Sequence, residues 1–248
     1  MAKYKEEKPE KMLAPFIDAF WNVDNIYDNW SNTIIPDSYA DIIIKISSSK
    51  RCLSISDIFT VGIMTEPVTT SALKGDKFIG ARLSCFALKN LLNIDMSEIT
   101  DKKMDLKSVN LCLYNKIKNI FMYKNQSNDI NESFKNLIKK ELHFEGYETV
   151  ILIGIIKKIR NCFGNINIEG LAEEFSLSIR SLQRLFKEYI GVSPKKYARI
   201  IRFKKAYDIL KSDSFIKPEE YMFDLGYYDQ PHFINEIKKF SNKTPGIF

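Results

Sequence analysis

Arg180, Gln183, Arg184 and Lys187 recur at intervals of three, one and three within SIRSLQRLFKEYIGVSPKKY, residues 178 to 197. That interval puts them on one face of a helix. Three cations and an amide on one face suit an anionic partner that also offers hydrogen-bond edges. Leu182, Leu185, Phe186 and Tyr189 follow the same spacing on the other face, where they would pack against a core. Taken alone, the pattern more often marks a solvated basic surface helix. The surrounding elements decide between the two.

Upstream, IEGLAEEFSL (168–177) carries a short apolar stripe of Ile168, Leu171, Ala172 and Phe175, then a turn at Ser176-Leu177. Ser178 can cap the next helix through its hydroxyl. A helix, a tight turn and a second helix with a basic outer face have the form of a helix-turn-helix, whose second helix enters a DNA major groove. Gly191 suits the left-handed end of that helix, and Ser193-Pro194 restarts the chain as N-cap and first helical residue. The new helix extends to about Lys211, roughly 27 Å long. PEEYMFDL (218–225) reads as a short helix and Gly226 as a turn. Asp229 then caps a last helix holding Phe233, Ile237 and Phe240. This is a second helix-turn-helix. The connector would set two reading helices about one DNA turn apart, near 34 Å.

Charge agrees with this division. Residues 1 to 154 hold 20 Lys+Arg and 20 Asp+Glu; residues 155 to 248 hold 17 against 11, so the net +6 lies in the last 94 residues. An acidic partner such as DNA is implied there. At 248 residues the chain has room for two domains. VILIGII (150–156) is too short to span a membrane, and the N-terminus has no apolar signal core, so a cytoplasmic protein without membrane attachment is expected. Cys52, Cys85, Cys112 and Cys162 are scattered, and His143 and His232 are the two histidines, so no metal site, cofactor or catalytic set is expected. P-loop, dinucleotide-binding and nucleophile-elbow patterns are absent. An enzyme is not expected.

The first half reads mainly as strands. Asp41–Ile46 is β-branched, and IPDSY before it is a turn. Cys52–Ile55 and Ile58–Ile63 read as two strands separated by Ser56-Asp57, and FIGARLSCF (78–86) alternates as a half-buried strand. Helices are expected over 86–92, 105–122, 131–142 and 148–162, with NQSND (125–129) as a loop and HFEGYE (143–148) as the domain junction. The aromatics Phe16, Phe20, Trp21, Tyr27, Trp30, Phe59, Phe78 and Phe86 serve either a core or a pocket. Arg82 could meet an anionic ligand or an aspartate.

IEGLAEEFSLSIRSLQRLFKEYIGVSPKKYARIIRFKKAYDIL and GYYDQPHFINEIKKFSNKTPGIF resemble the DNA-binding region of the AraC/XylS family of transcription regulators over residues 148 to 248. Trp21, IIPDSYADIII, GIMTEPV and FIGARLSCFALKNLLNI resemble an AraC-like N-terminal domain. The resemblance implies an α+β protein: a β-rich, barrel-like sensor or dimerisation domain with helices (1–147), then an all-α domain with two helix-turn-helix units (148–248). It implies that Arg180, Gln183, Arg184 and Lys187 face DNA from the first unit, and Gln230, Ile234 and Asn235, beside Pro231, from the second. Arginine would read guanine, glutamine or asparagine adenine, and isoleucine a thymine methyl. His232 would serve a cap or a phosphate, and Lys195, Lys196, Arg199 and Arg202 would meet phosphate or solvent. Double-stranded DNA is the implied partner. RNA polymerase, a second copy of the chain, and a small-molecule or protein effector of unknown identity are further candidates. An activator is the expected role. The alternative is a regulator whose N-terminal domain binds another protein, with DNA contact secondary. Ser38 and Ser176 stand where the family has glycine, which places a side chain in two turns built for none.

Overall fold

A computed structural model describes residues 3–24, 29–49, 52–123, 127–143, 146–212 and 221–247. Strands dominate its first hundred residues: β1 Lys3–Glu7, β2 Ile17–Asp24, β3 Trp30–Ile34, β4 Ala40–Ser49, β5 Cys52–Val61, β6 Val68–Ala72, β7 Asp76–Leu83 and β8 Lys103–Asp105. Six of them form an antiparallel sheet in the order β1-β2-β7-β4-β5-β8, and β3 pairs with β6 as a separate ribbon. The alternation in β4 and β7 sends Ile42, Ile44 and Ile46 inward, together with Ile79, Ala81 and Leu83. Phe16, Phe20, Phe59 and Phe86 are core residues. Tyr27 lies outside the described residues.

On the other face of the sheet, the indole of Trp21 lies across Gly80, where a Cβ would come within 2.1 Å of the ring. From there its Nε1 donates to Asp41 Oδ1 at 2.8 Å. Arg82 bonds to Glu6 and Asp18 at 3.3 Å and approaches Asp37 at 3.5 Å, so its partners are carboxylates of the chain itself. Burial and the neighbouring Asp37 push the Asp41 carboxyl up to about 7, against the pull of Arg82 and the Trp21 donor.

Several expectations need correction. Cys52 to Val61 is one strand, because a bulge opposite Lys45 and Ile46 absorbs Ser56. The helix expected over 105–122 divides into α3 Leu106–Val109 and α4 Leu111–Tyr123. Asn110 breaks it: its backbone is extended, its Oδ1 accepts from Leu113 N at 2.9 Å, and its amide donates to Leu91 O at 2.7 Å. Residues Ser127 to Asp129 of the expected loop already belong to α5, Ser127–Glu141. The strands β1, β2, β3, β6 and β8 and the helix at Met96–Ile99 were not expected; KYKEE of β1 has no apolar alternation. The remaining helices are α1 Cys85–Leu92, α2 Met96–Ile99, α6 Tyr147–Asn161, α7 Ile168–Glu174, α8 Ile179–Tyr189, α9 Pro194–Ser212 and α10 Gln230–Ser241. One hydrophobic cluster extends from Phe16 through the helices to Phe240.

Candidate DNA interface

The helix α7, the turn at 175–178 and the helix α8 form the first unit. Ser178 Oγ accepts from Ser181 N at 3.0 Å, as an N-cap should. Ser176 holds the turn at φ +54°, a left-handed conformation that glycine adopts more easily. Leu182 and Phe186 are buried. Arg180, Gln183, Arg184 and Lys187 are all exposed on the opposite face. Glu188, the helical neighbour that could have neutralised Arg184, instead pairs with Lys89 Nζ of α1 at 3.1 Å. Among the described residues, Arg184 then has no ion pair, and its charge is open to a partner.

The C-terminal end of α8 rests on the N-terminal half of the chain. The N–H groups of Ile190 and Gly191 both donate to Phe186 O at 2.9 Å, and Gly191 turns out of the helix at φ +94°. Thr100 Oγ1, just beyond α2, donates to Gly191 O at 3.0 Å. A Cβ on Gly191 would lie 2.3 Å from that Oγ1 and 2.8 Å from Met96 O. Lys89 Nζ also lies over the Tyr189 ring at 4.7 Å. A second link runs through Arg160 of α6. It donates to Tyr39 Oη at 2.6 Å and Tyr197 Oη at 3.3 Å. Tyr197 packs edge-on against Phe186, and Tyr39 follows Ser38, the turn residue at φ +73°. The strand half therefore touches the basic helix at its foot and behind its core face.

Ser193 Oγ accepts from Lys196 N at 3.2 Å and caps α9, whose 19 residues span about 28 Å. In the second unit, residues 218–220 of the expected short helix lie outside the described residues. Tyr221 to Gly226 form a single turn, closed by Leu225 N donating to Tyr221 O at 3.1 Å. Asp229 Oδ1 accepts from His232 N at 2.7 Å and caps α10, with Pro231 in the first turn. Gln230, Pro231 and Asn235 are exposed; Ile234 is half-buried against the core. His232 Nδ1 accepts from Tyr228 N at 3.3 Å, which agrees with a role in the turn.

Arg199 and Arg202 do not present themselves to solvent as expected. Both bind Glu236 of α10, through Nε contacts of 2.7 and 3.2 Å. Glu236 lies 37 residues along the chain, so helical spacing could not reveal the pair. Lys195 is exposed. Burial, then the neighbouring cations Lys239 and Arg199, lower the pKa of Lys196. That cationic crowding borders a groove of about 860 Å³ between the two units, with Asn167, Gln183, Ser193, Lys195, Arg199 and His232 in its walls.

Residues 171–248 match the family described as Helix-turn-helix domain, and residues 5–105 match a Domain of unknown function (DUF6597). The HTH-type transcriptional activator RhaS of Escherichia coli O139:H28 is 32% identical over 80 residues, covering 32% of this chain and 28% of that protein. Its counterpart in Salmonella arizonae is 35% identical over 78 residues, covering 31% and 27%. The chain thus spans 28% of the length of the first of these relatives. The crystal structure of ToxT from Vibrio cholerae aligns over 100% of this chain and 96% of that one, at 12% identity and a TM-score of 0.43. No helix among the described residues is long and apolar enough to cross a membrane.

Proposed function

We propose that this chain is a sequence-specific DNA-binding transcription regulator of the AraC type and not an enzyme, a reading supported by the match of residues 171–248 to the Helix-turn-helix domain family. Residues 148–248 would carry two helix-turn-helix units that read adjacent major grooves, and residues 1–147 a sensing or dimerising domain. The observation that carries this reading is the exposed face of Arg180, Gln183, Arg184 and Lys187, with Glu188 drawn away to Lys89. Gln230, Ile234 and Asn235 would read the second groove. The half-buried Ile234 leaves that face with less to offer than the first.

The contacts of Thr100 and Lys89 with the end of α8 support control from the N-terminal half. An effector or partner that displaced α2 would free the foot of the first reading helix. RNA polymerase and a second copy of the chain are partners this role would call on, in the cytoplasm. The full chain should retard short duplexes drawn from a random-sequence pool. Each phosphate contact contributes about −0.9 to the slope of log affinity against log salt, so four to six contacts give about −4 to −5. A folded chain that retards no duplex at low salt, or binds with no salt dependence, contradicts the proposal.

A further inference from the structure

The core-facing positions of α10 are Phe233, Glu236, Ile237 and Phe240, at spacings of three, one and three. One of the four is a carboxylate, and it is 2% exposed. A charge buried among aromatic rings persists only when it is paired. Its partners are two arginines one helical turn apart on the connector α9: Arg199 Nε at 2.7 Å from one oxygen and Arg202 Nε at 3.2 Å from the other. Arg202 extends further, donating to Gly226 O at 3.1 Å and lying over the Tyr227 ring at 4.8 Å. It therefore holds both the turn inside the second unit and the middle of that unit's reading helix. Asn235, a proposed base reader, is the residue next to Glu236.

We propose that Glu236 is a positioning residue for DNA recognition: through Arg199 and Arg202 it fixes the pose of α10 on α9, and with it the half-site spacing that one chain accepts. This rests on the DNA-binding reading above. Apolar packing, such as the Phe203–Phe240 contact at 5.0 Å, tolerates sliding and rotation. Two guanidinium groups converging on the two oxygens of one carboxylate from successive turns do not, because each charge-assisted Nε hydrogen bond has a defined direction. The first unit has additional supports from α1 and α2, so the connector and this ion cluster set where the second unit falls relative to it.

The test uses duplexes enriched by the full-length wild type from a random pool, rebuilt with one or two base pairs inserted between the half-sites. Wild type should lose about tenfold or more in affinity on insertion, the scale of one lost base contact. Glu236→Gln keeps the side-chain shape but removes the charge on which both arginines converge. It should discriminate among spacings by less than about threefold, with base preference in the first half-site unchanged. A role confined to stability would weaken binding to all duplexes alike and leave the spacing preference intact, which overturns the proposal. If Glu236→Gln fails to melt cooperatively, Arg199→Gln, at the more exposed partner, goes through the same panel with the same expectation. Arg199→Gln that lowers the salt slope by about one and retains wild-type spacing preference marks a phosphate contact and also overturns it. A wild type that enriches no duplex refutes the underlying DNA-binding reading, a result distinct from any of these.

Discussion

Replacing Gly191 by alanine tests the junction between the strand half and the first reading helix. At φ +94° an L-residue is strained by about 1–2 kcal/mol. The added methyl would also lie 2.3 Å from Thr100 Oγ1 and 2.8 Å from Met96 O. Rotating Thr100 away relieves the first clash but breaks the hydrogen bond of its one hydroxyl proton, shared between Met96 O at 3.1 Å and Gly191 O at 3.0 Å and worth about 1 kcal/mol. The methyl restricts the unfolded chain and returns about 0.4–1 kcal/mol. Gly191→Ala should therefore destabilise the protein by about 1–2.5 kcal/mol, lowering the thermal midpoint by about 2–10 °C at this size. Thr100→Ala removes one of the two clashing atoms, so Gly191→Ala should cost about 1 kcal/mol less in that background, measured as a double-mutant cycle in urea. A single-variant cost below about 0.5 kcal/mol, or strict additivity of the pair, would show that α2 does not bear on the end of α8.

Ser176→Gly should stabilise the chain by about 0.5–1 kcal/mol, since relief of the left-handed turn exceeds the added freedom of the unfolded chain; an unchanged or lower urea midpoint contradicts this. Asp41 holds its proton to a higher pH when folded than when unfolded, so this residue makes stability decline as pH rises from about 4 to about 7. Asp41→Asn should flatten that decline in denaturation curves across the window, and a decline identical to wild type would refute the assignment. Arg180→Ala and Gln183→Ala should each relax base choice at one position of one half-site, costing about 1–3 kcal/mol. Asn235→Ala should shift base choice less, one helical turn away; binding selections in which it shifts more would reverse the ranking of the two units.

What was legible in the sequence was local. The caps Ser178, Ser193 and Asp229 and the turn at Gly191 act within a few residues of themselves, and each appears where its chemistry places it. Even the two serines in glycine positions, Ser38 and Ser176, adopt the left-handed backbone the turns demand. What spacing could not convey was long-range pairing. Arg199 and Arg202 look like solvated cations until Glu236 is brought to them by the second unit. Arg82 leaves an anionic ligand and an aspartate as alternatives until β1 and β2 deliver Glu6 and Asp18. The β1 strand itself was invisible because an exposed edge strand rich in charge, KYKEE, has no buried face to mark it. Asn110 was hidden differently: a polar residue in an amphipathic run reads as helix surface, whereas here its Oδ1 caps the Leu113 N–H and its amide ties the break to Leu91 O.

The most direct measurement is enrichment of duplex DNA from a random-sequence pool by the full-length chain, repeated with Arg180→Ala and Gln183→Ala. Two short motifs about one helical turn apart should emerge. Each substitution should relax one position of one motif and leave the other motif unchanged. Enrichment of no motif by a cooperatively folded wild type, or motifs indifferent to both substitutions, would contradict the claim that this helix face reads DNA.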